Sequence, residues 1–480
     1  MPTLLVLLAG VLIYTTLGSA IVPGLVRFQA DLGASPSAAA WLFTGFLLAA
    51  SIATPVAGRL GDMYGKRRVV TWTFAIMAAG ALVSGLAPGL PLMIAGQLLL
   101  GVGAGIYPLA YGLAREVLPA RPVGVAIGTI GGVATAGGLI GYLVGGALAD
   151  AFSHRWLLGA GAAMLVATVA ARLVIPGSDL RLGGALDLVG VLLFAASVVA
   201  LLLSVTYAAD DGWLSWRVTP LLVFAVAGAA GWIRHESRHP RPFVDMALLR
   251  RRVVLAPSLI ALAVGFSSVV VFVVVPQLVT LPVETGYGFG GTTAQAGLYL
   301  LPTALAFLVA GPAAGALERV LPPRAVIIAG ALVMALSVAA LALWHREPWQ
   351  LMAISAVMGV GYGLAFTAMT SLIVRAVAPG ETGVSTGIST LARTLGETLG
   401  SQAGLSILAA RLDPGTGVPA EAGFGLAFVL GAGAAALALA GAFAVPGLPG
   451  GRPHRRARRG GRPRGQSRNA PIGHGTTGRL

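Results

Sequence analysis

Residues 58–68 read GRLGDMYGKRR and join two apolar runs, Trp41 to Ala57 and Val69 to Leu86, neither of which carries a charge. Each run is close to the ~20 apolar residues that a membrane-spanning helix needs. The segment between them holds one acid, four bases and three glycines. A short basic turn between two spanning helices belongs on the cytoplasmic side. Gly58 and Gly65 lack Cβ, so the chain can turn tightly and neighbouring helices can approach one another. Asp62 stands where one helix ends and the next begins, placed to accept from orphan N–H groups or from an arginine.

The same pattern extends over the whole chain. Of its 480 residues 56% are hydrophobic and 10% charged, with a mean hydropathy of +0.86; soluble proteins are about 25% charged. The sequence therefore predicts an all-α polytopic membrane protein. Fourteen spanning runs are expected, at about 3–26, 39–58, 69–88, 90–114, 122–148, 155–175, 187–207, 218–234, 254–281, 294–317, 324–344, 349–376, 383–410 and 422–446. The first starts almost at Met1 and is long enough to span, so it is read as a helix rather than a cleaved leader. Loops on the side of Lys66 hold most of the arginines, among them Arg115, Arg234, Arg250, Arg319 and Arg375. That bias places both termini in the cytoplasm. Arg234 to Arg252 is the longest internal polar connection, and 450–480 is Gly-, Pro- and Arg-rich, expected to be disordered. The excess of 32 bases over 17 acids fits contact with anionic lipid headgroups better than with nucleic acid. With no cysteine, disulfides and thiol chemistry are excluded. His235, His239 and His345 fall in loops, so neither a histidine relay nor a metal site is expected, and no nucleophile or phosphate loop argues for an enzyme or a cofactor.

Within the fifth run, Gly137, Gly141 and Gly145 recur every four residues and share one helix face, with Gly128 ahead of them and Gly146 after. In the thirteenth run Arg393 and Glu397 are four apart, so they share a face and can pair. A charge near the bilayer centre costs about 2.5–3.5 kcal/mol on insertion scales, so such a pair must face protein or water. Two readings stand: Glu397 titrates or binds a cation with Arg393 tuning it, or the pair only orients the helix. Asp31 is a further acid, at the outer mouth. Gln97, Tyr107, Tyr111, Gln277, Tyr299, Thr367 and Thr370 are the candidate substrate-facing polar groups.

The glycine, acid, glycine, base order of 58–68 resembles the loop motif of the major facilitator superfamily of secondary transporters. The glycine spacing from Gly128 to Gly146 is similar to the motif of its antiporter branch, with Tyr142 where that motif has proline. Trp41, Thr44 and Pro55, Asp187 to Gly190, Glu236 and Pro242, Gly311 and Pro312, and Arg393 resemble, in order, the fourteen-spanner drug:proton antiporters. The resemblance implies two six-helix bundles with two inserted helices: an N-terminal bundle (1–175), the inserted pair (176–234), a cytoplasmic linker (235–252), a C-terminal bundle (253–449) and a tail (450–480). It implies export of hydrophobic or cationic drugs or of a metabolite across a bacterial plasma membrane, driven by protons. Gly58, Arg59, Gly61, Asp62, Gly65, Lys66 and Arg67 would form the inner gate. Two positions depart from the family: Gly18 stands where an acid is common in the first run, and Gln97 where an arginine is usual. These departures keep a uniporter or an anion exchanger open, and beyond them a non-transporting scaffold or sensor.

Overall fold

The computed structural model describes residues 2–32, 36–119, 122–177, 186–240, 242–413 and 417–445. Among them no strand forms, and a single isolated bridge joins Leu412 to Pro419. The helices are α1 (Pro2–Leu32), α2 (Pro36–Tyr64), α3 (Lys66–Gly85), α4 (Leu90–Gly101), α5 (Ile106–Val117), α6 (Val123–Phe152), α7 (Trp156–Val174), α8 (Leu188–Asp211) and α9 (Val218–Glu236). After the short α10 (Met246–Arg250) come α11 (Arg252–Thr280), α12 (Thr293–Leu317), α13 (Pro323–Leu343), α14 (Pro348–Ala376), α15 (Thr382–Ala410) and α16 (Glu421–Phe443).

Thirteen of the resulting segments are long and apolar enough to cross a membrane, α4 and α5 counting as one. The fourteenth, α15, has 29 residues but falls short on apolarity because hydroxyls and the Arg393–Glu397 pair recur along it. It packs chiefly against α11 and α2. The expected single helix at 90–114 is instead interrupted by a 3-10 turn at Val102–Gly105. Gly101 there lies against the backbone of α2, which leaves no room for a side chain, and Gly103 against the side chains of Tyr14 and Met77.

Two apolar cores form, one chiefly within α1–α7 around Phe74, Met77 and Tyr111 and joined by Val374 of α14, the other within α11–α16 around Val274, Met334 and Phe428. The inserted α8 packs through Phe194 and Val198 against Leu48 of α2, Leu391 of α15 and Phe243 of the linker. α9 is mostly exposed, as a lipid-facing helix would be. The tail at 450–480 lies outside the described residues, as does the side chain of Asp31 in the last turn of α1.

The glycines of α6 divide between two partners. Gly137, Gly141 and Gly145 seat against Leu12, Thr16 and Ala20 of α1, while Gly128 faces Gly311 and Pro312 of α12 in the other bundle. Tyr142 leaves α6 unbroken. Gly141→Leu would drive a side chain into the α1 backbone and is expected to destabilise by about 1–3 kcal/mol or more. Gly159→Leu is the matched control, since nothing lies within 4 Å of a Cβ added there. The thermal midpoints of the two purified variants check this, the first falling and the second not.

Candidate functional site

The turn at 58–68 is built residue by residue into a seam between the bundles. Gly65 has φ 93°, a conformation that favours glycine, and starts α3 directly after α2. Asp62, 1% exposed, accepts through Oδ2 from the backbone N–H groups of Gly383 (3.1 Å) and Val384 (3.3 Å) at the start of α15. Those N–H groups have no partner within their own helix, and the helix dipole favours a carboxylate there. The Nζ of Lys66 lies 3.1 Å from Asp62 Oδ1 and 2.6 Å from Glu116 Oε1. Gly112 leaves the space the lysine stem occupies, and Gly61 abuts Leu109. Arg115 donates to Thr382 Oγ1 across the seam at 2.7 Å.

Two other bases of the motif, Arg59 and Arg67, do not bond to α15. Arg59 donates to the Pro242 carbonyl in the linker, and Arg67 to the Ile175 carbonyl at the end of α7. Three glycine pairs complete the seam, backbone against backbone: Gly58 with Gly383, Gly128 with Gly311, and Gly124 with Gly315.

Beside Gly124, Glu318 is held by Ser371 Oγ (2.5 Å) and Arg375 Nη2 (2.8 Å), with its Oε1 unpartnered. Burial raises its carboxyl to about 7, although the serine and the arginine pull it down. The folded state then binds a proton more tightly than the unfolded chain, whose glutamates titrate near 4.3. Stability is therefore expected to fall as pH rises from about 4.5 to about 7, by an amount on the order of 1–3 kcal/mol. Glu318→Gln should flatten that slope in thermal melts taken across the same range.

About 15 Å further along α15, at 1.5 Å per residue, the helix reaches a central cavity. The cavity holds about 420 Å³ and is lined from both bundles. Its walls are aromatic: Phe43 and Phe46 of α2, Phe272 of α11, Phe307 of α12, Tyr362 and Phe366 of α14. Tyr14 stacks on Phe46 at 5.6 Å and meets Tyr107 edge-on at 5.9 Å. Arg393 and Glu397 are the charged residues of the lining, and they pair directly. The Arg393 guanidinium also lies over the Phe366 ring, 5.8 Å from its centroid, and its Nε has no hydrogen-bond partner. Such a lining offers stacking and cation–π surface to a flat or amphipathic molecule, with one ion pair to read its charge.

Of the polar candidates taken from the sequence, Tyr107 alone lines this cavity. Gln97 is buried against Ser84 of α3, Tyr111 is enclosed in the first core, and Thr367 is fully buried within α14. Gln277 is exposed, and Tyr299 stacks on Phe289. Thr370 faces a separate small void below Arg393, shared with Thr386, Ser389 and Thr390. Gly18 does line the cavity, but the Phe46 ring occupies the place of a side chain there: a Cβ would come within 2.5 Å of its edge. Tyr14, Phe46, Tyr362 and Thr394 were not singled out from the sequence, because aromatic and hydroxyl residues in spanning helices carry no mark of which face they present.

The family model for the Major Facilitator Superfamily matches residues 6–401. An uncharacterised transporter of that type from Mycobacterium tuberculosis is 29% identical over 79% of this chain and 55% of its own length. The probable actinorhodin transporter of Streptomyces coelicolor is 29% identical over 74% of this chain and 63% of its own. The chain thus spans between half and two thirds of the length of these relatives. Among solved structures, the proton:xylose symporter XylE superposes with a TM-score of 0.65 at 15% identity, covering 93% of this chain and 96% of that one.

Proposed function

The chain belongs to the Major Facilitator Superfamily, and on that premise we propose that it exports hydrophobic or cationic organic molecules, drugs or a metabolite, in exchange for protons. The central cavity carries this reading: an aromatic chamber between two bundles with one carboxylate in its lining. In alternating access such a chamber opens first to one side and then to the other. With the arginine-rich loops in the cytoplasm, the seam around Asp62 is the inner gate.

The ion pair supplies the exchange. With Glu397 ionised, the pair is neutral and an organic cation meets no net repulsion. With Glu397 protonated, Arg393 stands unpaired and the chamber repels the same cation. Proton and cargo therefore compete for the site, the condition for antiport. A relative named for actinorhodin transport supports a small organic cargo.

The test is ethidium uptake into inside-out vesicles carrying an imposed pH gradient. Uptake abolished by an uncoupler is expected. Uptake indifferent to the uncoupler would overturn proton coupling. One observation favours a second reading: the partnerless Nε of Arg393 over Phe366 would suit an anionic cargo. Anion exchange would then appear as uncoupler-insensitive counterflow of an anionic dye.

A further inference from the structure

We propose that Asp187, His235 and His239, outside the transport pathway, form a binding site for a divalent transition ion of the zinc, nickel or cobalt class. Residues 235–239 read HESRH, in which the two histidines are four apart. That spacing puts both imidazoles on one helical face, as in zinc-binding H-E-x-x-H helices. The helix carries through it: beyond the end of α9 the His239 N–H still bonds to the His235 carbonyl at 2.9 Å. The two rings lie 5.3 Å apart, stacked.

The third ligand comes from the start of α8. Asp187 Oδ1 accepts from the Gly190 N–H at 2.9 Å, which fixes the carboxylate and turns Oδ2 to the histidines. Oδ2 lies 2.8 Å from His235 Nε2 and 3.7 Å from His239 Nδ1, and the three ligand atoms all fall within 4.8 Å of one another. A tetrahedral ion with bonds of about 2.0–2.1 Å separates its ligands by about 3.3 Å, inside that spread. Two neutral imidazoles and one carboxylate suit a borderline ion better than calcium or magnesium. The carbonyl end of α9 adds negative potential.

The fourth position opens to a groove of about 370 Å³ lined also by Arg234 and Arg238, whose charges favour water or an anion there. The glutamate of the motif is not available as a hydrolytic base. Glu236 is 2% exposed and accepts from the Val244 N–H and the Trp232 Nε1–H, both at 3.1 Å. The site is therefore structural: it would fasten the two ends of the inserted α8–α9 pair beside the linker.

The test uses tag-free full-length protein in nanodiscs, with His454 and His474 replaced by Asn in every sample. Cobalt is titrated and its visible d–d absorption followed, with zinc content measured in parallel. One ion per chain is expected, retained in His345→Ala. H235A/H239A should abolish the band. Asp187→Asn, which keeps an oxygen for the Gly190 N–H, should weaken binding at least about 10-fold. A cobalt spectrum unchanged in H235A/H239A, or no binding by the unaltered protein, would overturn the proposal.

Discussion

Glu397→Gln is expected to abolish proton-driven export, lowering the initial rate of ethidium uptake by at least about 100-fold. Glu397 is the acid among the residues lining the cavity, and it pairs with Arg393 one helical turn away. Glutamine removes the titrating group and leaves a guanidinium in the chamber without its counter-charge. Without that carboxylate no proton is exchanged for cargo and the unpaired Arg393 repels a cation; a 100-fold loss corresponds to about 2.8 kcal/mol, at 1.4 kcal/mol per factor of ten. Glu397→Asp retains a carboxylate and should keep uncoupler-sensitive transport at a reduced rate with a displaced pH profile. A folding failure is separable, because misfolded protein would lose its monodisperse elution. Uncoupler-sensitive uptake at the normal rate in folded Glu397→Gln would refute the role.

The second large effect is expected from Asp62→Asn, and it concerns the gate rather than the chamber. The carboxylate meets two backbone amides of α15 and the ammonium of Lys66 in one buried cluster. Bonds to a charged group contribute about 1.5–3 kcal/mol each. Asparagine keeps one acceptor and loses the charge, so the balance between closed and open seam should move by about 10-fold to 100-fold toward open. The chain has no cysteine, which makes a single engineered thiol an unambiguous reporter. Ser389 lines the small void between the seam and Arg393 and is 8% exposed. In Ser389→Cys the thiol should react with a membrane-impermeant maleimide from the 58–68 side at least about 10-fold faster when Asp62→Asn is added. An unchanged rate would show that the carboxylate does not hold the seam.

The architecture was legible because lipid imposes a simple rule on sequence: each span is an apolar run, and each turn is marked by charge or glycine. In the 58–68 turn the close approach at Gly58 and the amide contacts of Asp62 were legible, since glycines and an acid have few alternative uses between two spans, whereas the partners of Arg59 and Arg67, in the linker and at the end of α7, were not. The Arg393–Glu397 pair could be read for the same reason, a charge in a span being too costly to be idle. The cavity wall was not legible. Phe43, Phe272 and Phe366 sit in helices that are apolar all round, so no contrast of faces separates a residue that meets cargo from one that meets lipid. Polarity in the sequence pointed to Tyr107 on the wall, but not every polar residue of a span faces it: the Gln97 amide donates to Ser84 within the bundle. The HESRH segment was taken as a linker because the proline after His239 and the arginines around it dominate its composition. Its third ligand lies 48 residues away in sequence from His235.

The glycine pairs of the seam bear on how such a protein changes over generations. Gly58 against Gly383 and Gly128 against Gly311 join the bundles through main chain, whereas the aromatic wall of the chamber is built from side chains such as Phe43 of α2, Phe272 of α11 and Phe366 of α14. Replacing one aromatic ring reshapes what fits inside and touches none of the seam. Replacing a seam glycine alters the opening equilibrium for every cargo alike. Selection for a new compound therefore has inexpensive steps at Phe43, Phe272 or Phe366, and none at the glycines. Variants raised on different compounds should collect their changes on the aromatic wall, with the timing of the gate inherited unaltered.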